Sequence, residues 1–193
     1  MDNRNKFRRN DNKKPRIKEE FAIVLDVTTN NAGSFNSSDV VQAIGFNTYA
    51  LFELVPKQGV QVKSGDKLYI GDGKREEIQY IKGILNSTRL TGSAESELLF
   101  AIMDIIEEKE DMFVQFFNTA GPISLRRHSL ELIPGIGKKN LKHMFDIRDE
   151  KPFENFKDIA QRCSFLQDPV KSISERILKE IMGEAEHNFF VQK

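Results

Sequence analysis

The chain has 193 residues and a hydrophobic content of 39%, including 15 Phe, which suffices for one large domain or two small ones with a packed core. Its single cysteine, Cys163, excludes an internal disulfide and a cysteine-based zinc cage, and fits a reducing cytoplasm. No apolar run approaches the roughly 18 residues that a membrane span requires, and the polar N-terminus does not resemble a secretory signal.

The formal net charge is zero, but the two signs are unevenly distributed. Residues 1–18 contain eight Lys/Arg and two Asp, a net charge of +6, and the remaining 21 basic and 27 acidic residues leave the rest at −6. A basic tail on an acidic body suggests a nucleic-acid arm, although a solvated terminus without a partner has the same composition. With one Phe and one Ile, the tail cannot offset its ordering entropy, and we predict that residues 1–18 are disordered.

Residues 19–90 contain short, β-branched, apolar runs separated by Gly, Asn and Asp turns, a pattern typical of a small barrel. The segment VKSGDKLYIG resembles the mid-barrel hairpin of OB-like folds. The turn that follows carries Lys74 and Arg75, which are candidates for contact with a nucleic-acid backbone. Five aromatic residues of this region could stack on bases or belong to the protein core. They are Phe46, Tyr49, Phe52, Tyr69 and Tyr80. Of these, we expect Tyr69 and Tyr80 to be exposed.

From residue 91 the apolar spacing becomes helical. We predict helices over 93–111, on both sides of the sequence PGIGKKN, over 153–163 and over 169–182, with Asp168 as the N-cap of the last. Residues 186–193 are predicted to be a strand or a tail. The predicted fold class is therefore α+β, with a small OB-like β-barrel over 19–90 followed by an all-helical domain over 91–185.

The sequence ELIPGIGKKNLKHMF places two glycines around one apolar residue at the start of a predicted helix. Glycine lets the backbone turn sharply, Ile136 can anchor the turn from inside, and main-chain N–H groups from Gly135 to Lys138 would face outward. Such orphan N–H groups at a helix N-terminus bind anions. Residues 121–145 contain five basic residues against one acid, Glu131. The basic residues are Arg126, Arg127, Lys138, Lys139 and Lys142.

Leu132 to Lys139 resembles the helix-hairpin-helix motif, whose pattern is apolar-Pro-Gly-apolar-Gly. The resemblance implies that the hairpin backbone, here Gly135, Ile136 and Gly137, holds nucleic-acid phosphates without reading sequence. Leu141 departs from the motif, which usually has a small residue there, so close packing of the two helices is in question. Residues 153–182 occupy the place of a second copy, but the connection 164–167 lacks a Gly-x-Gly turn, and we expect it to be structural.

The chain is similar to an archaeal family of unknown function that is described as nucleotide-binding. The similarity is strongest over residues 94–182. That family joins an OB-like barrel to a helix-hairpin-helix region. The resemblance covers roughly residues 19–193 and implies an architecture more than an activity.

These features predict a non-enzymatic, cytoplasmic nucleic-acid-binding protein, with RNA as the first ligand, acting in translation or ribosome assembly with a ribosomal or other protein partner. One alternative is a protein-interaction adaptor whose acidic helix 93–108 binds a basic partner; another is a DNA-binding repair or replication accessory factor. A nuclease is disfavoured because no carboxylate cluster has catalytic spacing. The three histidines are isolated, so we expect no metal and no cofactor.

Overall fold

The computed structural model describes residues 19–29 and 39–192. The basic tail over 1–18 therefore lies outside the described residues. None of the helices in the described ranges is long and apolar enough to cross a membrane.

The first half of the chain is a curled, five-stranded antiparallel half-barrel with the strand order β4-β1-β2-β3-β5. Because β4 and β5 occupy the two ends of this order, each has one edge without a strand partner in the described part of the sheet. The strands are β1 (Phe21–Thr28), β2 (Val40–Gly45), β3 (Leu51–Pro56), β4 (Lys67–Tyr69) and β5 (Ile78–Leu85).

Both faces of the sheet are packed, as β1 shows most clearly. Ala22 and Val24 belong to a cluster that the curled sheet encloses by itself, whereas Ile23 and Leu25 belong to a larger cluster shared with the helices. All four side chains are at most 5% exposed. A strand buried on both faces is a continuous apolar run rather than an alternating one, which is why AIVL stands uninterrupted in the sequence.

The second half of the chain packs α1 across the sheet and folds the remaining helices around α1 and α5. The Thr91 hydroxyl accepts a hydrogen bond from the Ala94 N–H at 3.1 Å and caps α1. The Lys109 ammonium, between α1 and α2, donates to the Phe46 carbonyl and so fixes the helices to the sheet. The helices are α1 (Gly92–Glu108), α2 (Glu110–Thr119), α3 (Lys138–Glu150), α4 (Phe156–Arg162) and α5 (Pro169–Met182), with 3-10 helices at Ser87–Arg89 and Ser129–Leu132.

The prediction that residues 91–185 are all-helical is wrong at one segment. A short antiparallel hairpin, β6 (Pro122–Ser124) and β7 (Arg127–His128), precedes the 3-10 helix, so no α-helix leads into the glycine turn. Ile123 and Leu125 face solvent there. Without a buried apolar stripe, a short helix has little to stabilise it, and Pro122 interrupts the ladder of helical hydrogen bonds.

The C-terminal segment forms no strand over residues 186–192 but is tied to α5. The Glu180 carboxylate is fully buried, and its Oε2 accepts hydrogen bonds from the N–H groups of Phe189, Phe190 and Val191 at 2.8, 2.8 and 2.9 Å. Arg176 Nε donates to Oε1 of the same carboxylate at 2.8 Å. One buried anion thus collects three main-chain amides and one guanidinium.

Candidate nucleic-acid interface

Gly135 gives the turn before α3 its shape. Its φ is +91°, a left-handed conformation that side-chain-bearing residues rarely adopt. A Cβ at this position would lie 3.2 Å from the Phe165 carbonyl oxygen, in the connection between α4 and α5. The fold therefore requires glycine at position 135, for its conformation and for its internal packing.

Ile136 is 2% exposed and anchors the turn in the shared core. Its N–H donates to the Ile133 carbonyl at 3.1 Å, so the expectation that every amide from Gly135 to Lys138 faces outward is wrong at this residue. The Asn140 side-chain amide donates to the Gly135 carbonyl at 2.8 Å and braces the turn from α3. Sequence analysis missed Asn140, because it is one polar residue among several.

The N-terminus of α3 is open. Gly137 is the N-cap residue, with ordinary dihedrals of −81° and 175°, and no side chain makes a capping hydrogen bond there. The first intrahelical bond runs from the Leu141 N–H to the Gly137 carbonyl at 2.8 Å, so the N–H groups of Lys138, Lys139 and Asn140 have no acceptor within the helix. A Cβ at Gly137 would meet no atom within 4 Å, so the space beside these amides is open.

Three lysines surround this helix start, and the first turn contains no acidic residue. Lys138, Lys139 and Lys142 are exposed. None of them forms an ion pair with a partner among the described residues. Their charge adds to the positive end of the helix dipole, so the site attracts anions.

Arg126 and Arg127 lie on the β6–β7 hairpin rather than on a helix. Arg126 is exposed. Arg127 Nη1 is 3.2 Å from Glu186 Oε2, which offsets part of its charge. The His128 ring lies edge-on to Phe145 of α3 at 5.0 Å. Burial, with a smaller contribution from Arg148, lowers the pKa of His128, so this side chain is a neutral packing group at pH 7.

Lys74 and Arg75 belong to a separate surface, the loop between β4 and β5. Arg75 Nε donates to the Gly71 carbonyl at 2.9 Å, which holds the loop closed. Lys74 pairs with Glu76 at 3.0 Å, and this hydrogen bond lowers the pKa of the Glu76 carboxyl. These partners belong to the loop itself, so the contacts of Lys74 and Arg75 do not unite them with the residues at the start of α3.

Of the five aromatic candidates for stacking, Tyr80 is the most accessible, at 48% exposure. Tyr69 is half-buried: its hydroxyl accepts the Gly73 N–H at 3.0 Å, and its ring contacts Phe21 edge-on at 5.5 Å. The expectation that Tyr69 is exposed is therefore wrong. Tyr49 and Phe52 are core residues, and the Lys67 and Lys109 ammonium groups lie over the Phe46 ring.

Two observations concern nucleophilic and metal-binding groups in the described residues. Burial raises the pKa of the Cys163 thiol to about 11, which makes it a poor nucleophile. Residues 19–29 and 39–192 contain no group of three or more His, Cys, Asp or Glu that could hold a metal ion.

The described residues form an α+β protein in which a curled, five-stranded half-barrel is joined to a helical region. Residues 18–192 match the family model described as "Protein of unknown function (DUF655)", and the chain belongs to that family. It is 36% identical over 178 residues to the uncharacterized protein MJ0038 of Methanocaldococcus jannaschii, covering 92% of this chain and 81% of that protein. It also resembles the crystal structure of Af1531 from Archaeoglobus fulgidus, with a TM-score of 0.82, 35% identity, and coverage of 90% of this chain and all of that one.

Proposed function

We propose that the protein is a cytoplasmic, non-enzymatic nucleic-acid-binding protein, with RNA favoured over DNA and a place in translation or ribosome assembly. The observation that carries the proposal is the start of α3. Its amides have neither an internal acceptor nor a capping side chain, Gly137 leaves the space beside them open, and three lysines adjoin it.

The turn is proposed to act as a shortened helix-hairpin-helix unit. Its second helix is α3, and its first is only the 3-10 helix Ser129–Leu132. Leu141, the residue that departs from the motif, is half-buried and packs against the shared core, so the turn is held from below by apolar contacts. The amides of Lys138, Lys139 and Asn140 would donate to phosphate oxygens in the manner of other helix N-termini.

The half-barrel is proposed to be OB-like and to offer a second surface. Its β5 edge carries Tyr80 beside Lys82, which lies 3.3 Å from Glu53 Oε2, and the exposed aromatic ring suits stacking on a base. Lys74 and Arg75 would contact the backbone only after leaving their present partners in the loop.

A second candidate function, a protein-interaction adaptor, is supported by α1. Phe100 is 62% exposed and has Glu97 and Asp104 one turn away on either side, a combination that suits a basic and apolar partner. On this alternative the glycine turn is structural and the partner binds the acidic helix instead.

The experiment that tests the proposal is a salt titration of binding, with fluorescently labelled RNA and DNA oligonucleotides of the same sequence. A footprint of about five phosphates gives a slope of log K against log salt of about −4.5 on duplex DNA and about −3.5 on single strands. Absence of binding, or binding that does not change with salt, contradicts the proposal. Tighter binding to DNA than to RNA favours the repair or replication factor instead.

A further inference from the structure

The β6–β7 hairpin is a projecting finger, defined here as residues 121–129, with an apolar tip. Leu125 at the tip is 107% exposed, as open to solvent as in an extended chain, and Ile123 on the same hairpin is 47% exposed. The residues from Gly121 to Arg127 are all exposed. The described chain thus offers the tip no intramolecular contact that shields it from solvent.

The base of the finger is fixed to the body. The Ser129 N–H and hydroxyl both donate to the Gly121 carbonyl, at 3.1 and 2.7 Å, and close the hairpin. Leu130, directly after the finger, is fully buried. The contact between His128 and Phe145 positions the finger against α3. The base of the finger is thus anchored to the body by Ser129 and, through His128, to α3.

The fold does not explain a leucine at the tip. Residues 125 and 126 form the two-residue connection between β6 and β7, where Asn, Asp and Gly are the residues that stabilise a tight turn. An exposed leucine contributes nothing to the core and carries no turn chemistry. Leu125 is therefore a residue that the fold could exchange freely, and its apolar side chain is available for contact with a ligand.

The charge around the finger indicates what that contact is. Arg126 and Arg127 follow Leu125 directly. Phe145, which the finger contacts through His128, lies seven residues after Lys138. Seven residues correspond to two helical turns, so Phe145 and Lys138 share one face of α3, about 10 Å apart along its axis. The finger thus packs against α3 about two helical turns from the helix start, and both places carry exposed basic residues, which suits a ligand that combines phosphates with apolar faces.

We propose that the finger contacts an unpaired base: Leu125 packs on the face of the base while Arg126 meets the adjoining backbone. The ligand is then single-stranded or locally unpaired nucleic acid and not an intact duplex. Stacking hides base faces inside a duplex, so an apolar wedge must first unstack them at a cost of a few kcal/mol per step, whereas an unpaired base presents its face freely. The inference rests on the proposed function and deepens it.

The test compares Leu125→Ser with Met112→Ser, a similar change at an exposed apolar residue of α2 (50% exposed), outside the finger and the β5 surface. Each protein is titrated into single-stranded oligonucleotides containing 2-aminopurine and into matched duplexes. For the unmodified protein we expect tighter binding to single strands and a rise in 2-aminopurine fluorescence as the base leaves its stack. Leu125→Ser should weaken single-strand binding about tenfold, given the worth of a buried leucine side chain. It should also remove the fluorescence change without altering the salt slope, and Met112→Ser should do none of these.

Equal affinity of the unmodified protein for duplex and single strand would overturn the inference. An unchanged affinity and an unchanged fluorescence response in Leu125→Ser would also overturn the inference. In either case, salt-dependent binding that still requires the lysines of α3 would leave the proposed function standing. Absence of binding to any oligonucleotide removes the proposed function and the inference together.

Discussion

Two helix starts in the same helical region, those of α5 and α3, are built in opposite ways. At α5 the Asp168 carboxylate accepts the Lys171 N–H at 2.9 Å, and Pro169 occupies the first helical position, where no N–H is needed. At α3 the corresponding residue is Gly137, which has no side chain to accept a hydrogen bond. The chain can therefore close a helix start with its own carboxylate, and at α3 it places lysines instead.

The C-terminal segment supports the same contrast. Three of its amides converge on the buried Glu180 carboxylate. Where main-chain N–H groups of this protein converge in the interior, a residue of the chain supplies the anion. At the exposed start of α3 no residue does so, and on our account the anion comes from the ligand.

We expect the largest effect on folding from removal of the buried Glu180 carboxylate. Glu180→Ala leaves three amides and the Arg176 guanidinium without their acceptor, and loss of one partner from a buried charge pair destabilises proteins by about 3–5 kcal/mol. Urea denaturation measures this change, with Glu184→Ala, an exposed glutamate between α5 and the C-terminal segment, as the control. A loss below about 1 kcal/mol would mean that this carboxylate is not the group that holds the segment.

The next largest effect concerns binding. Lys138→Glu/Lys139→Glu should weaken nucleic-acid binding about 100-fold or more and reduce the salt slope by about 2, because each phosphate contact contributes about 1 to the slope. The control is Lys171→Glu/Lys179→Glu, which makes the same change in charge at two exposed lysines of α5. Equal losses in the two variants would show that only net charge matters. If Lys138→Glu/Lys139→Glu leaves nucleic-acid binding unchanged, the adaptor function is favoured. An adaptor should retain its protein partner in both double variants.

A smaller effect separates the two glycines of the turn. Gly135→Ala forces a side chain into a left-handed conformation, 3.2 Å from the Phe165 carbonyl oxygen, and should reduce the free energy of unfolding by about 2 kcal/mol. Gly137→Ala meets no neighbouring atom and should reduce it by less than about 1 kcal/mol, through weaker capping alone. Thermal or urea unfolding of both variants decides the matter. Equal costs would mean that Gly137, too, is required by the fold.

The sequence predicted the elements whose pattern is local and repeated. Helical spacing and the cap at Asp168 located α5, and the turn-punctuated apolar runs located the strands of the half-barrel. The β6–β7 hairpin was not predicted. Its apolar residues, Ile123 and Leu125, face solvent, so they do not produce the regular spacing that marks a buried face. The N-cap of α1, Thr91, could not be assigned from the sequence. Its signal is as local as that of the α5 cap, but several residues of that stretch could cap the helix equally well.

At the candidate site, the sequence identified the glycine turn and its lysines but could not assign the two glycines different roles. That distinction depends on Phe165, which is 30 residues further along the chain and reaches Gly135 only in the folded protein. The side-chain partners of Arg127 and Arg75 are likewise tertiary and could not be read from sequence. The predicted roles of all these residues in binding remain predictions.

The measurement that tests the central claim most directly is a paired determination of stability and binding for Gly137→Asp. An aspartate at this N-cap position would accept the free amides, as Asp168 does in α5, and should raise the free energy of unfolding by a few tenths of a kcal/mol. The same carboxylate would occupy the place of the phosphate, so nucleic-acid affinity should fall at least about tenfold. The control is Gln161→Glu, which changes one charge at an exposed residue of α4 and should change neither the stability nor the affinity appreciably. A more stable protein that binds less tightly is the predicted result; a more stable protein that binds nucleic acid as tightly as before would contradict the account.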